Sequence, residues 1–525
     1  MSRPLRAAVV GLIVAAPFAA VLAEGVAAGG LAALVDPDAA ALAWNSIALG
    51  ATAALFAALL AVPFAALAAF RTFPLRGALT LAVATPLLVP LHVHAIGWMR
   101  IFGRQGYLTA WLAESTGYVH EVRAPWLGLY PGPAWILACA WFPLAALPTL
   151  AGLRALDHEA LEAARLAGVG RLGVLRRIVL PAVAPRLCGG LFLVFAFTLA
   201  SFPVTSLLDT PVLSQRIFFA FSRDHAGGPA AAALQALPLL LAAACVAVWL
   251  PRAAAETAEG FRTRLRPRRG GVLALAAAAA PLVLAVGPPL WGLVWKLVEA
   301  RRLKPHAPSP FRDAFRMVET EFVNSFLLSA GAAALLLVVA WPLAWSLARR
   351  PSGGLSGFLD ASVAAPPIVL GLGVVLFWRR FADVPILGGV YGGAALVVFA
   401  YLARFLPVVL RVLATGFGPE AGAQDDAARL AGHGPLRRAV GVLLPGQAGV
   451  LAAALVLGYV CCFVELDATL MTHPPAWRTV QVRLFNMVHY RGDDEVAALC
   501  LLAVGAALLP PAVVALLAPR RRRVR

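Results

Sequence analysis

The sequence predicts an all-α polytopic membrane protein, with about twelve spans arranged as two parallel six-helix repeats. Three observations predict it. Of 525 residues, 61% are hydrophobic and 13% charged, against about 45–50% and about 25% in soluble domains. Many apolar runs exceed the ~18 residues that mark a membrane-spanning helix, the form that satisfies its own backbone polar groups in lipid. The third is a heptapeptide that occurs twice, Glu162 to Gly168 and Asp426 to Gly432, each followed at the same spacing by an aliphatic residue, a Leu and a Pro (Ile178, Leu180, Pro181; Val442, Leu444, Pro445). The alternating pattern of an outer-membrane barrel is absent.

The spans follow in order. The first six are expected at 7–34, 41–70, 77–101, 133–153, 187–208 and 229–250. The second six are expected at 271–297, 322–347, 356–378, 389–413, 447–470 and 495–518. The first follows two arginines and shows no small-x-small cleavage pattern, so it reads as an uncleaved span rather than a signal peptide. Prolines inside spans (Pro63, Pro86, Pro90, Pro342, Pro366, Pro367) predict kinks. Asn45-Ser46 and Asn324-Ser325 open corresponding spans and are expected to cap the helix start.

Residues 1–251 form the first transmembrane unit and 271–525 the second, joined by an Arg-rich linker at 252–270. Six spans per unit give both the same orientation. Of 44 Lys and Arg, 27 fall on the side of the N-terminus and 16 on the other, which places both termini, the linker and both repeated loops in the cytoplasm.

The net charge of +18 suits arginines at membrane edges facing anionic lipid, and with this apolar composition excludes a nucleic-acid binder. The six cysteines show no C-x-x-C spacing, so neither a disulfide framework nor a zinc site is expected. No G-x-x-x-x-G-K-[ST] loop occurs, and Lys296 and Lys304 are the two lysines, so the chain carries no phosphate-binding loop of its own. There is no catalytic constellation, metal cluster or cofactor motif. His92 and His94 point to different faces of a helix and read as interfacial or pathway-lining polar residues.

Each repeated loop reads as a helix, a glycine and a second helix. In the first, Asp157 is an N-cap and Glu159 and Glu162 suit a helix N-terminus. Ala163, Ala164 and neighbouring alanines leave a thin surface, and Gly168 ends the helix in the left-handed conformation. A second helix over Arg171 to Leu180 is expected to end at Pro181. In the second loop Ala427, Ala428 and Gly432 repeat the pattern, Pro435 can start the second helix, and Pro445 closes it.

Glu162-Ala163-Ala164, Gly168, Ile178, Leu180 and Pro181 resemble the signature loop of binding-protein-dependent ABC importer permeases. Asp426-Ala427-Ala428, Gly432, Val442, Leu444 and Pro445 match it with two conservative departures, Asp for Glu and Val for Ile. The resemblance implies the MetI-like permease fold. It also implies a coupling helix in each loop, two copies of a separate ABC ATPase subunit as partners, and a periplasmic or lipid-anchored substrate-binding protein. The place implied is the bacterial inner membrane, with no cofactor in this chain.

The fused two-unit form resembles ferric-iron permeases, with thiamine and aminoethylphosphonate permeases close by, and polyamine cargo as a further alternative. Ser201 to Leu208, with Phe202 and Pro203, resembles the first-half form of the stretch after the fifth span. Phe463 to Leu470, with Glu465, Asp467 and Thr469, resembles the second-half form, and Asp467 departs from it. The resemblance implies a pathway between the halves that closes near these residues. The acids are equally readable as a solvated periplasmic turn. A secondary transporter with parallel repeats, or a membrane scaffold, explains the repeat but not the paired loops.

Overall fold

The computed structural model describes residues 3–29, 37–103, 106–116, 131–222, 228–255, 268–303, 305–306 and 309–517. Most of the linker at 252–270 lies outside them. Seven helices are long and apolar enough to cross a membrane unaided, and four more spans consist of two helices meeting at a bend. The apolar helix Gly228–Leu241, the first part of Gly228–Ala255, takes the sixth place, so the order agrees with the expected twelve.

Prolines set the bends. The third span breaks by 90° between Arg76–Leu88 and Leu91–Leu112, and the ninth by 111° between Gly353–Val363 and Pro367–Arg379. In both, the residue before a proline is extended: Val89 at ψ 126° and Pro366 at ψ 125°. The δ-carbon of the proline ring disfavours helical geometry there. Pro63 and Pro342, in contrast, lie inside the continuous helices Pro37–Phe70 and Glu319–Arg349.

Pro181 does not end the helix that follows Gly168. The helix runs on as Arg171–Leu199, passing through a π-helical turn at Leu175–Val179. A proline cannot donate to the carbonyl four residues back, and its ring crowds that carbonyl. A turn widened by one residue relieves the conflict. The same device precedes Pro445, at Ala439–Leu443, and Pro17, at Gly11–Ala15, each turn ending two residues before its proline. In the second half the helix then bends by 80° near Gln447, whose side-chain carbonyl accepts from the Trp341 indole at 3.0 Å.

Asn45 and Asn324 are not caps. Their helices start earlier, at Pro37 and Glu319. The amide of Asn45 donates to the carbonyl of Pro211, and that of Asn324 to those of Ala476 and Arg478. The next serine accepts a backbone N–H from the same loop: Leu213 to Ser46 at 3.1 Å, and Val480 to Ser325 at 2.8 Å. The pair therefore pins a distant loop to the helix, identically in both halves.

The two halves exchange their first helices. The first span packs on Pro367–Arg379 of the second half, and Gly271–Leu303 packs on Leu91–Phe102 and Pro37–Phe70 of the first. Glycines permit the approach. A Cβ on Gly373 would lie 2.3 Å from the Pro17 carbonyl oxygen, and one on Gly97 would lie 2.4 Å from that of Pro289. Small residues let helix backbones meet in lipid, where packing rather than the hydrophobic effect drives association. The ends are fastened too. Arg6, 1% exposed, donates to the carbonyls of Ser346 and Arg350 at the C-terminus of Glu319–Arg349, where a cation is favoured. Arg268–Arg269 pair in parallel with Arg71–Thr72, just past the end of Pro37–Phe70.

Gly97→Ala and Gly373→Ala should lower the thermal unfolding temperature of the detergent-solubilised protein, because the added carbon must displace backbone. Gly331→Ala, inside Glu319–Arg349 with nothing within 4 Å of the new carbon, should be neutral or stabilising by up to about 1 kcal/mol. Equal unfolding temperatures for all three would overturn the glycine-mediated exchange.

Candidate functional site

The residues singled out in the sequence fall at two places, a pair of elbows and a seam between the halves. The first elbow helix is His158–Leu166, and its start is capped by Asp157, whose carboxylate accepts the Glu159 N–H at 2.9 Å. It ends at Gly168 with φ 77°, and the Val169 N–H reaches back to the Ala164 carbonyl at 3.0 Å. The second elbow helix is Pro419–Leu430, which ends at Gly432 with φ 79° and the His433 N–H on the Ala428 carbonyl at 3.1 Å. These reach-back bonds satisfy carbonyls that a helix end otherwise leaves orphaned, and they require the left-handed residue. A Cβ on either glycine meets nothing within 4 Å, so backbone conformation alone demands glycine. Pro435 starts the second short helix, Pro435–Arg438.

Glu162, Ala163, Asp426 and Ala427 are exposed, Ala164 is half-buried and Ala428 buried. Beside them stand leucines that the sequence reading passed over. Leu166 and Leu430 are each 90% exposed, and Leu172 and Leu436 are 58% and 77% exposed. Each pair occupies matching repeat positions. Arginines flank them, Arg171 and Arg176 on one elbow and Arg429 and Arg437 on the other. Uncovered leucines thus stand at matching points of both elbows.

The elbows are anchored differently. In the first, Leu161 is 4% exposed and joins the apolar core. Its repeat counterpart is Asp425, 2% exposed, whose carboxylate receives Arg349 at 2.7 and 3.0 Å and lies 3.2 Å from Arg438. Arg349 also binds Asp426, and this bond holds the Asp426 carboxyl below its ordinary range. A carboxylate standing where the other copy has Leu was the sequence signal for such a clamp, since a buried charge requires a partner.

The seam forms where spans five and eleven stop short of their expected ends, at Leu199 and Val464. Pro203 cannot donate back to Leu199. Glu465 is extended and accepts the Ala468 N–H at 3.0 Å. Short helices follow at Pro203–Leu207 and Asp467–Thr472, and the pathway candidates Phe202, Pro203, Glu465, Asp467 and Thr469 lie on or beside them. Phe202 is fully buried and lies 5.7 Å from the ring of Phe485 in the opposite half. Pro203 is buried, and Thr469, fully buried, hydrogen-bonds with the Tyr401 hydroxyl at 3.0 Å. Asp467 is 9% exposed and Glu465 half-buried, so these acids are not a solvated turn. Both line a cavity with His92, Trp141, Phe197 and Arg404, and its walls come from both halves. His94 is fully buried and faces the Pro86 carbonyl at 3.3 Å.

Residues 61–286, which contain the first elbow, match the family described as binding-protein-dependent transport system inner membrane component. Over 78% of its length the chain is similar to the probable ABC transporter permease protein y4fN of Sinorhizobium fredii, at 25% identity and across 76% of that protein. It is 22% identical to the Fe(3+)-transport system permease protein FbpB 2 of Haemophilus influenzae, over 79% of this chain and 77% of that protein. It is 27% identical to the thiamine transport system permease protein ThiP of Brucella abortus, over 70% of this chain and 67% of that one. Relatives of one kind along most of the length, around a matched domain that holds one of two like elbows, lead to a single reading: the chain is similar, over most of its length, to binding-protein-dependent ABC transporter permeases.

Proposed function

We propose that this chain is the whole translocation pathway of an importer. The carrying observation is the pair of elbows, alike in glycine geometry and in exposed leucines. Each elbow docks on one of two ATPase subunits, with Leu166 and Leu430 as apolar anchors and the thin Ala163 and Ala427 faces allowing close approach. A substrate-binding protein delivers a small solute to the opposite side of the bacterial inner membrane. Both termini and residues 252–270 lie in the cytoplasm, where the arginine bias puts them, and 1–251 and 271–525 act as the two permease units. ATP is hydrolysed by the partner subunits and not by this chain. On the resemblance alone, before the lining of the seam is weighed, ferric iron comes first among the cargoes. Thiamine, aminoethylphosphonate and polyamines are the others.

The gate is the seam. The contact of Phe202 with Phe485 and the burial of Asp467 support its reading as a closure between the halves. Opening requires the Pro203–Leu207 and Asp467–Thr472 segments to separate. The asparagine–serine pins tie the loop after each segment to spans two and eight, so the pins carry motion from those helices to the gate.

Co-purification of the tagged chain should recover one copy with two ATPase subunits. Two copies of this chain per ATPase pair would refute the single-chain pathway. Gly168→Val and Gly432→Val together should leave membrane insertion intact and abolish uptake, since a β-branched residue at positive φ is strained by about 1–3 kcal/mol. Unchanged uptake in the double variant would sink the docking role.

Arg349→Ala should loosen the second elbow alone. Hydrogen exchange across Pro419–Leu430 should rise by the ~1–3 kcal/mol of a lost charged hydrogen bond, with His158–Leu166 unchanged. Because Asp426 has a depressed folded-state pKa, its share of stability is present above the ordinary carboxylate range and is lost as pH falls through the depressed value. Exchange in the wild type should therefore be equally protected at about pH 6 and about pH 8 once corrected for the intrinsic rate. Loosening of both elbows, or of neither, would remove the clamp from the account.

A further inference from the structure

Charge, aromatic rings and unsatisfied polar atoms share the cavity at the seam, whose volume is about 80 Å³. Three charged side chains line it: Arg404, Glu465 and Asp467. Arg404 is already held. Its guanidinium donates to the carbonyls of Val363 at 3.1 Å and Ala365 at 2.8 Å, and sits 5.5 Å from the centre of the Phe197 ring. Among the described residues no carboxylate lies within ion-pair distance of it.

The opposite charge is not held in the same way. Asp467 Oδ1 is buried without a hydrogen-bond partner, and so is Ser201 Oγ, which comes from the other half and is 2% exposed. An unsatisfied buried polar group costs about 1–3 kcal/mol, and more when charged. Two halves that each aim such an atom at one space describe a site whose occupant comes and goes. Two carboxylates share the cavity with one guanidinium that is already engaged by carbonyls, so an entering cation finds acceptors left over. Trp141 and Phe197, packed edge to face at 5.2 Å, add aromatic surface to the wall, which suits a delocalised or alkylated cation.

We propose that the seam cavity is a binding site for a small organic monocation, held by Asp467 and Glu465 on one wall and Ser201 on the other. The inference rests on the importer reading and names the class of its cargo. A bare ferric ion fits poorly, because a hard trivalent cation needs several ligands of its own. Among the described residues no group of three His, Cys, Asp or Glu is placed to hold a metal. An anion fits poorly as well, because Arg404 is engaged by two carbonyls and two carboxylates share its space.

The test uses the full chain in lipid nanodiscs, with thiamine and choline as organic monocations and ferric citrate and inorganic phosphate as comparators. Binding is read by calorimetry and by the fluorescence of Trp141 against a Trp141→Phe control. Saturable binding of thiamine or choline is expected. Asp467→Asn and Glu465→Gln should each weaken it by about tenfold or more, as loss of a charge-assisted hydrogen bond does. Asp467→Glu should retain most of it. Glu465→Gln serves as an independent reading if Asp467→Asn fails to fold, which gel filtration decides. Saturation by neither cation, tighter binding of ferric citrate or phosphate, or wild-type affinity in both neutral variants would overturn the proposal. ATPase co-purification is measured on the same preparations. A chain that recruits the ATPase but binds neither cation overturns this inference alone, and one that binds a cation but recruits no ATPase overturns the importer reading alone.

Discussion

Both halves are held by the same contact, a glycine in the broken helix of one half lying against a proline carbonyl in the first helix of the other. In lipid there is little hydrophobic gain from pressing one apolar helix on another, so close backbone packing must supply the cohesion. Gly97 on Pro289 and Gly373 on Pro17 supply it at corresponding points. Everything near the seam inherits its position from these contacts. Leu91–Phe102 and Pro367–Arg379 present His92 and Pro367 to the cavity, and each is backed by a helix borrowed from the opposite half.

The repeat is accurate in backbone and loose in chemistry. Both elbows end on a left-handed glycine with the same reach-back bond, and the loop near the seam in each half is pinned by an asparagine and a serine. Yet Leu161 in one elbow is Asp425 in the other, and Ser201 and Pro203 on one side of the seam become Glu465 and Asp467. One half therefore depends on apolar packing and uncharged groups where the other depends on ion pairs and acids. The two elbows are thus anchored by contacts of different kind, a directional Arg349–Asp425 clamp in one and a non-directional Leu161 contact in the other.

Local chemistry was legible in the sequence wherever a residue acts on its own neighbours. Gly168, Gly432, Asp157 and Pro435 do what their positions require, because caps and left-handed turns are decided within a few residues. The number and order of spans followed from apolar run length for the same reason. What was not legible depends on distant partners. Asn45 and Asn324 look like caps until the loop each one holds, more than a hundred residues away, is placed beside it. Pro181 looks like a terminator because run-by-run reading allows only an α-helical turn, and a widened turn absorbs the residue. The burial of Asp467 follows from the opposite half covering it, which no local pattern records.

The exchange of first helices also has a consequence for biosynthesis. Pro17 meets Gly373, and at about 5–20 residues per second a ribosome takes roughly 20–70 s to make the intervening chain. Throughout that interval the face of the first helix that meets Pro367–Arg379 is uncovered, although Gly228–Ala255 of its own half can already cover another, and Arg6 lacks the carbonyls of Ser346 and Arg350. The nascent first half is thus a natural client for the insertion machinery or a membrane chaperone, released only when the ninth span arrives. A single polypeptide suits this wait, because the tether keeps the late partner at high local concentration and leaves the early helix little time to find a wrong one.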